Sequence, residues 1–594
     1  MAYNHFDYVP SGISKSRSVF KFEKAIAGGC EIGFLYPMCK PIAMMPGSSL
    51  KLNLAMEVRS GALIAPLQDE LLLDVFAFNV PNRIVWEHWK QFVGATDDVL
   101  FDSLSDYQIP SFKYDPFCAA VENSYGYATS HLLASWYELP MVEYDKQDDS
   151  YSANYLPRIS ALPFRGYSFI WNENFRPEQL VTPVLFSKTD NGYTGDNITH
   201  SWYDGTISIG GTSNIIPIVP TAGSTDTECS GGCVLPTFRV HKSLWTSCLP
   251  KPSLETLNLL GDLSAPVGFV SPSTGTSTSS VSFGIPNAAS VTLDTFKNLS
   301  ALSSSGINNL YGTSVIADLS QAVLTVNNYR ETIMLQNYYD ALNRAGSRYD
   351  EIIRNIFHTQ TSNAVIDIPE LIVHKRFTIF RKEVVATAET LKSDNTVANP
   401  VGNQSAYIDT VVKDSFFTTS TTEHGYVHPL FTIRPARIRM AQGIEPDWVK
   451  LNKFDMYYPQ FDGMGDVPRY KNEIYVPDVP SVSTNAAIFG YQEYGAEYKY
   501  QRNSAVGWAD VNLLNHIAGL TLAEKLVAQP SLASATNFGY MGYLSCLVEE
   551  QAFASCLAVS SPAVSPQFIV DIRLTGEIVH PMPVYNIPGM GDLL

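Results

Sequence analysis

Alternating apolar and polar side chains predict β-strands near both ends of the chain. In the segment 49–59, SLKLNLAMEVR, leucine, methionine and valine alternate with lysine, asparagine, glutamate and arginine. A period of two places the apolar side chains on one face of a strand. The same alternation returns in the segment 568–574, FIVDIRL. The pattern therefore predicts that both ends of the chain contribute strands with one buried face.

The segment 71–80, LLLDVFAFNV, is apolar at both odd and even positions. This pattern indicates a strand that is covered on both faces, and the following Pro81, Asn82 and Arg83 end it. Strands from both chain ends with variable sequence between them are typical of a β-sandwich with large loop insertions.

One helix is predicted at 327–345, because its apolar residues recur on one face and Gly346 follows them. Its polar face carries no basic excess, so we interpret the helix as a packing element rather than a nucleic-acid recognition helix. Segments 205–235 and 251–317 are rich in serine, threonine and glycine. We interpret both as insertions, and the second as either an exposed projection or a disordered segment.

Composition adds a constraint on partners. The chain of 594 residues is 45% hydrophobic but only 16% charged, against about a quarter in ordinary domains. Much of its surface is therefore expected to contact other subunits. The formal net charge of -18 argues against phosphate binding over the whole surface, which needs clustered lysine and arginine.

Motifs for catalysis, cofactors and metals give weak signals. Cys229 and Cys233, in ECSGGC, have no partner ligands nearby in sequence, and the other cysteines are predicted to be free buried thiols. The motif EHGYVH holds His424 and His428 in β-forming sequence, where positions four apart are too distant for one ion. No catalytic, cofactor or metal site is predicted. No window of about 18 apolar residues and no signal-like start occurs, so we expect neither secretion nor membrane insertion.

Two groups of residues are candidates for contacts with DNA or with other subunits. Arginines suit phosphates and carboxylates equally well, and tyrosines stack on bases or pack at protein interfaces. For the tyrosines we favour packing. The candidates are Arg434, Arg437, Arg439, Tyr491, Tyr498, Lys499, Tyr500 and Arg502, with Lys15, Arg17, Lys21 and Lys24 as a weaker alternative.

The C-terminal segment 581–594 is expected to be extended, because its prolines and glycines prevent a regular helix. Its apolar side chains are predicted to pack on the same or a neighbouring subunit, so that deletion of 587–594 abolishes assembly. These candidates are Tyr585, Ile587, Met590, Leu593 and Leu594.

Six segments, in this order along the chain, resemble the major capsid proteins of the Microviridae, and particularly those of the gokushovirus branch. They are LLLDVFAFNVPNRIVWEHWKQFVG, FRGYSFIWNENFRPEQL, RAGSRYDEIIRNIF, TEHGYVHPLFTIRPARIRMAQG, IFGYQEYGAEYKYQR and HPMPVYNIPGMGDLL.

The resemblance implies a mainly β fold: a single domain at 1–594 built on an eight-stranded antiparallel viral jelly roll with long loop insertions and a few helices. It implies a T=1 icosahedral shell of about sixty copies around circular single-stranded DNA. It also implies that 251–317 forms a protrusion at the three-fold axes that contacts a host receptor.

The partners implied are an internal scaffolding protein, a small basic DNA-binding protein and a pilot protein, with assembly in the bacterial cytoplasm. Two other classes stay open from the residues alone. One is a cell-surface carbohydrate-binding β-sandwich, suggested by the aromatic content and the serine- and threonine-rich loops. The other is a polysaccharide-cleaving enzyme, which needs paired carboxylates in a cleft.

Overall fold

The structure is a computed structural model that forms two compact units. One unit is Met1–Pro252 with Ala345–Leu594, and the other is Ser253–Arg344. The described residues are 17–61, 63, 70–94, 107–115, 117–118, 132–140, 142–143, 158–178, 183, 188–190, 207–209, 212–214, 228–230, 235–236, 238, 244–252, 267–269, 315–317, 326–346, 348–359, 367–385, 390–391, 397–399, 404–436, 439–440, 443–474, 488–504, 557 and 565–585.

The strands, in chain order, are β1 (Ser18–Cys30), β2 (Tyr36–Pro37), β3 (Ile42–Met44), β4 (Ser49–Ser60), β5 (Leu71–Pro81), β6 (Ser111–Asp115), β7 (Phe117–Cys118), β8 (Val142–Glu143), β9 (Arg158–Ser160), β10 (Ile207–Ile209), β11 (Thr212–Asn214), β12 (Glu228–Ser230), β13 (Val267–Phe269), β14 (Val315–Ala317), β15 (Glu370–Ile379), β16 (Arg381–Val385), β17 (Thr390–Leu391), β18 (Val397–Asn399), β19 (Gln404–Ser420), β20 (Gly425–Pro435), β21 (Arg439–Met440), β22 (Asp466–Tyr470), β23 (Ile488–Glu493), β24 (Asn503–Ser504) and β25 (Phe568–His580).

The α-helices are α1 (Asn82–Val85), α2 (Trp89–Val93), α3 (Leu133–Trp136), α4 (Leu162–Ile170), α5 (Val326–Ala345), α6 (Tyr349–Ile356) and α7 (Ala496–Lys499). A π-helical turn, Trp171–Phe175, continues α4. Short 3₁₀ helices occur at Pro446–Val449, Lys453–Asp455, Pro459–Met464 and Lys471–Glu473. No described helix is both long enough and apolar enough to cross a membrane.

The first large sheet joins the two ends of the chain. Its strand order is β1-β25-β4-β19-β16, and every pair is antiparallel. β1 and β25 pair from Ser18 opposite His580 to Cys30 opposite Phe568. In β4 the residues from Leu50 to Val58 alternate between buried and exposed or partly exposed positions, as the sequence pattern predicts. This sheet therefore has one face in the core and one face in solvent.

The second large sheet has the order β15-β5-β20-β2, with β3 also paired to β20. Most residues of β5 and β20 are buried on both faces. Helices α1 and α4 pack against β20, and α1 also packs against β5. The double coverage that the apolar run 71–80 predicts is therefore confirmed, and the run ends where α1 begins at Asn82.

The chain passes from sheet to sheet in the manner of a jelly roll. β1 lies in the first sheet, β2 and β3 in the second, β4 in the first, β5 and β15 in the second, β16 and β19 in the first, β20 in the second and β25 in the first. This interleaving brings strands that are distant in sequence side by side. The prediction of a mainly β, antiparallel jelly-roll fold with few helices is confirmed.

Side chains from both sheets share one hydrophobic core. Leu52 and Leu54 of β4, Leu73 of β5 and Ile572 of β25 are almost completely buried in it. Each fully buried side chain of this kind stabilises the fold by about 1.5–3 kcal/mol. Cys30, Cys39 and Cys248 are free and buried, as predicted for these three residues. Burial raises the pKa of the Cys39 thiol to about 12.

The two sequence insertions are described only in part. Segment 205–235 contains the hairpin of β10 with β11, and β12, which pairs with β6. Segment 251–317 contains β13 and β14, which pair with each other near its two ends. The rest of the second insertion from 253 onward lies outside the described residues. Helix α5 occupies Val326–Ala345, where the sequence predicts a helix at 327–345, and Gly346 follows it with a φ of 103°.

Candidate functional site

The segment 443–474 forms a layer of short 3₁₀ helices beside the tyrosine-rich stretch 488–502. Pro446 and Pro459 lie in the first turns of two of these helices, where a missing N–H costs little. The Asp455 carboxylate accepts hydrogen bonds from the backbone N–H groups of Asn452, at 2.7 Å, and Leu451, at 3.0 Å. These hydrogen bonds lower the pKa of Asp455.

The tyrosine-rich stretch holds this layer in place. The backbone N–H of Tyr458 donates to the Tyr494 hydroxyl at 3.1 Å, and that hydroxyl donates to the Met456 carbonyl at 3.2 Å. The stretch turns at Gly495, whose φ is 75°. A Cβ at Gly495 would lie 2.8 Å from Cδ2 of Tyr457, so only glycine fits both the backbone angle and the space.

Six aromatic rings form a connected network on this surface. The ring of Tyr457 stacks on Tyr494 at a centroid distance of 5.2 Å and meets Tyr498 at 6.1 Å. Phe461 joins Tyr494, Phe454 and Tyr458 at 6.5, 6.3 and 6.2 Å. Such separations are typical of favourable aromatic pairs.

Two further apolar side chains, Trp448 and Leu451, flank Lys450, whose ammonium lies 3.7 Å from the centroid of the Tyr498 ring. We call the six rings together with Trp448 and Leu451 the aromatic platform. Leu451 is 84% exposed, Trp448 79% and Phe454 64%. Large apolar side chains with this exposure, grouped together, mark an interaction surface.

Several charges beside the aromatic platform are paired with one another, and the Lys453 ammonium lies 4.7 Å from the centroid of the Phe454 ring. Arg469 and Lys450 both contact the Glu497 carboxylate, Lys450 at 3.6 Å, and Lys450 also contacts Asp447 at 2.6 Å. Burial raises the pKa of Glu497, but the hydrogen bond and charge of Arg469, a backbone hydrogen bond and the charge of Lys450 together outweigh burial, and the pKa is lowered. Lys499 lies 2.9 Å from Glu493.

The local charge balance is slightly acidic. Segments 443–474 and 488–504 together contain eight acidic and six basic residues, a net charge of -2. Phosphate binding needs an excess of basic residues. The surface therefore suits a protein partner better than a nucleic-acid backbone.

The structure brings five of the predicted contact residues into this region. Tyr498 and Tyr500 are about half exposed, Lys499 is exposed, and Arg502 donates to the Gly443 carbonyl at 3.1 Å. The backbone of Tyr491 forms a bridge with Leu249. The contacts of Tyr491 and Arg502 join segments of the same subunit.

The three candidate arginines are not brought together as one described group. Arg434 is buried, and its Nε donates to Oδ2 of Asp74 at 2.6 Å. Arg376 donates to the same carboxylate at 2.7 Å, and His374 lies 3.1 Å from it. We call Asp74, Arg434, Arg376 and His374 the Asp74 cluster.

Burial raises the pKa of Asp74, but the hydrogen bonds from Arg376, Arg434 and His374 and the charge of Arg434 together outweigh burial, and the pKa is lowered. Arg434 is therefore committed to a contact inside the subunit. Arg439 lies in β21, beside β24, and Arg437 lies outside the described residues.

The remaining predicted contacts are more scattered. Lys21 pairs with Glu23 at 2.6 Å, Lys24 pairs with Glu138, and Lys15 lies outside the described residues. Tyr585 is 84% exposed at the end of the described chain. Ile587, Met590, Leu593 and Leu594 lie outside the described residues.

The charged and histidine residues of the EHGYVH motif (423–428) each make a different packing contact. Glu423 accepts a hydrogen bond from Arg83 at 3.0 Å, and the His424 ring meets the Trp89 ring edge-on. His428 is buried, and its Nδ1 lies 3.3 Å from the Tyr137 hydroxyl. Among the described residues no group of three or more His, Cys, Asp or Glu side chains is placed to hold a metal ion.

Sequence reasoning missed Trp448 and Leu451, the most exposed members of the aromatic platform. The signal was present in PDWVKLNKFDMYYPQF (446–461), where apolar and aromatic residues recur without the period of a helix or a strand. Apolar residues without a period, between prolines and charges, are candidates for exposed contacts.

A family profile described as capsid protein (F protein) matches residues 9–590. Capsid protein VP1 of Bdellovibrio phage phiMH2K is 26% identical over 98% of this chain and 97% of the relative. Capsid protein VP1 of Chlamydia phage 1 is 25% identical over 99% and 98%, and that of Spiroplasma virus 4 is 25% identical over 92% and 90%.

These matches confirm the resemblance to Microviridae capsid proteins that the six motifs carry. They also decide among the classes left open by the sequence, in favour of a structural, non-enzymatic protein. Because the family profile extends over almost the whole chain, the chain belongs to the phage capsid protein (F protein) family.

Proposed function

We propose that the chain is a major capsid protein that assembles, in about sixty copies, into a T=1 icosahedral shell around circular single-stranded DNA. The observation that carries the proposal is the family match over residues 9–590. The jelly-roll order of the two sheets supports it, because a rigid sandwich presents loops and edges to neighbouring subunits.

The genome is held with the help of a basic partner. The net charge of -18 opposes binding of DNA over the whole protein surface, whereas a small basic DNA-binding protein is attracted to an acidic shell. An internal scaffolding protein and a pilot protein complete the proposed assembly, which takes place in the cytoplasm of a bacterial host. The chain is proposed to belong to the gokushovirus branch of the Microviridae.

The insertion 251–317 is proposed to project at the three-fold axes and to contact the host surface. Its serine-, threonine- and glycine-rich composition supports an exposed position. Particles that lack the insertion but adsorb to the host as well as the parent would contradict this role.

Electron microscopy of the purified chain, with and without the scaffolding protein of the same genome, tests the proposal. We expect closed shells of uniform diameter in at least one of the two samples. Monomers in both samples would overturn the capsid assembly proposed for this chain.

A further inference from the structure

We infer that the aromatic platform is covered by a second copy of this chain and is a principal contact between subunits. This inference rests on the proposed function, which requires copies of the chain to bind one another. It adds the surface through which they do so.

The exposed area of the aromatic platform is close to that of one side of a specific contact. Applying the exposed fractions of its side chains to the 150–250 Å² that a large aromatic residue buries gives on the order of 700 Å² of exposed surface. A stable interface buries about 800 Å² on each partner. Ordinary monomers expose contiguous apolar patches of only about 300–600 Å².

The aromatic platform is also preorganised. The Tyr494 hydroxyl fixes both Tyr458 and Met456, and the pairing of Lys450 with Asp447 holds the turn between Trp448 and Leu451. A rigid surface loses little conformational freedom on binding, so more of its contact energy appears as affinity. Tryptophan and tyrosine are the residues most often found to dominate such contacts.

Single-stranded DNA is the competing occupant, because exposed rings also stack on bases. The charges argue against it. Lys450 and Lys499 are each paired with a carboxylate, and the region has a net charge of -2. A DNA strand on these rings would place its phosphates beside Asp447, Asp455 and Asp462. A second copy of the chain can instead meet the rings with apolar side chains, which carry no charge.

Sedimentation velocity of the full chain, with the scaffolding protein where shells require it, tests the inference with matched variants. The test variants are Trp448→Ser and Leu451→Lys. The control is Ile569→Ser, which replaces an exposed apolar residue of β25 in the first sheet. Circular dichroism melting establishes that each variant is folded. All three substitutions are at exposed positions, so we expect melting close to that of the parent.

We expect each platform variant to associate at least ~30-fold more weakly than the parent, the loss typical of a dominant contact residue. The control is expected to associate like the parent. Association of the platform variants that equals that of the parent, while the parent forms shells, would overturn the inference and leave the proposed function standing. Oligomers that form in the parent but not in the platform variants, and that never close into shells, would support the inference and contradict the proposed icosahedral shell.

A parent chain that stays monomeric in every sample would overturn both. A further arm adds an oligonucleotide of unpaired thymidines to isolated subunits. Binding that is lost in Trp448→Ser would assign the aromatic platform to DNA instead, and would overturn the inference. A control variant that loses association as strongly as the platform variants would also overturn it, because the effect would then not be specific to this surface.

Discussion

The Asp74 cluster and the aromatic platform reverse the usual distribution of side chains. In the Asp74 cluster a carboxylate and an arginine are buried within the second sheet, and in the aromatic platform a tryptophan, a leucine and a phenylalanine are mostly exposed. The buried charges have their partners within the subunit, at 2.6–3.1 Å from Asp74. The first region therefore completes the fold of one subunit, whereas the second is left for a neighbouring subunit to cover.

The largest effect is expected from Arg434→Ala, which removes one partner of a buried ion pair. Asp74 would keep Arg376 and His374 but lose its buried partner, and the free energy of unfolding should fall by about 3 kcal/mol. Urea denaturation measures the change. Arg573→Ala, in the exposed pair with Asp571, is the control and should change stability by no more than about 0.5 kcal/mol. Equal effects of the two substitutions would contradict an internal role for Arg434.

Lowering the pH by about two units below 6.5 is expected to have the next largest effect, through His428 in β20. Unlike Asp74, this buried group has a neutral hydroxyl, that of Tyr137, as its contact. Burial lowers the pKa of His428 from 6.5 to about 3. Below pH 6.5 the His428 side chain is therefore protonated in the unfolded chain, whereas in the folded chain it stays neutral until the pH approaches about 3.

Stability contributed by neutral His428 should fall by about 1.4 kcal/mol per pH unit between pH 6.5 and about 3. Asp74 adds a loss in the same direction at lower pH, because its pKa is lowered by its cationic partners. The stability of His428→Gln, measured by urea denaturation at each pH, should lack the first loss. Parallel pH curves for the parent and this variant would refute the assignment to His428.

A smaller effect is expected from Gly495→Ala, which disturbs the support of the aromatic platform. The left-handed backbone angle costs about 1–2 kcal/mol for a residue with a Cβ, and that Cβ would also press on Tyr457. Gly463→Ala is a matched control, because nothing lies within 4 Å of its added Cβ. Thermal melting should separate the two variants. If Gly463→Ala is as destabilising as Gly495→Ala, the turn at Gly495 does not have the supporting role assigned to it here.

The smallest effect on the stability of one subunit is expected from Trp448→Ser. The side chain is exposed, so the free energy of unfolding should change by less than about 0.5 kcal/mol. The same substitution should weaken association strongly, and this separation of stability from association is what distinguishes the aromatic platform from the Asp74 cluster. A large loss of stability, measured by urea denaturation, would place Trp448 among the residues that hold the subunit together.

Much of the fold follows from local patterns in the sequence. The alternation in 49–59 predicts β4, and the apolar run 71–80 predicts a strand buried on both faces, because side-chain period and burial are local properties. The pairing of Asp74 with Arg434 is not local, since 360 residues separate them and the register of β5 with β20 brings them together.

The candidate site was predicted only in part for the same reason. The tyrosines of 488–502 stand out in the sequence, but Gly495 acquires its meaning from Tyr457, which lies in another segment. Trp448 and Leu451 lie in and beside short 3₁₀ helices, which have no characteristic apolar period over so few residues. Their exposure follows from the three-dimensional arrangement alone.

Hydroxyl-radical footprinting read by mass spectrometry compares the exposure of Trp448 and Leu451 in isolated subunits and in assembled particles, and so shows whether a second copy covers the aromatic platform. Rapid oxidation of both side chains is expected in isolated subunits and strong protection in particles, with the control residue Ile569, which is exposed in the subunit, as the reference. Equal oxidation in the two states, or protection already present in isolated subunits, would contradict the claim that a second copy covers the aromatic platform.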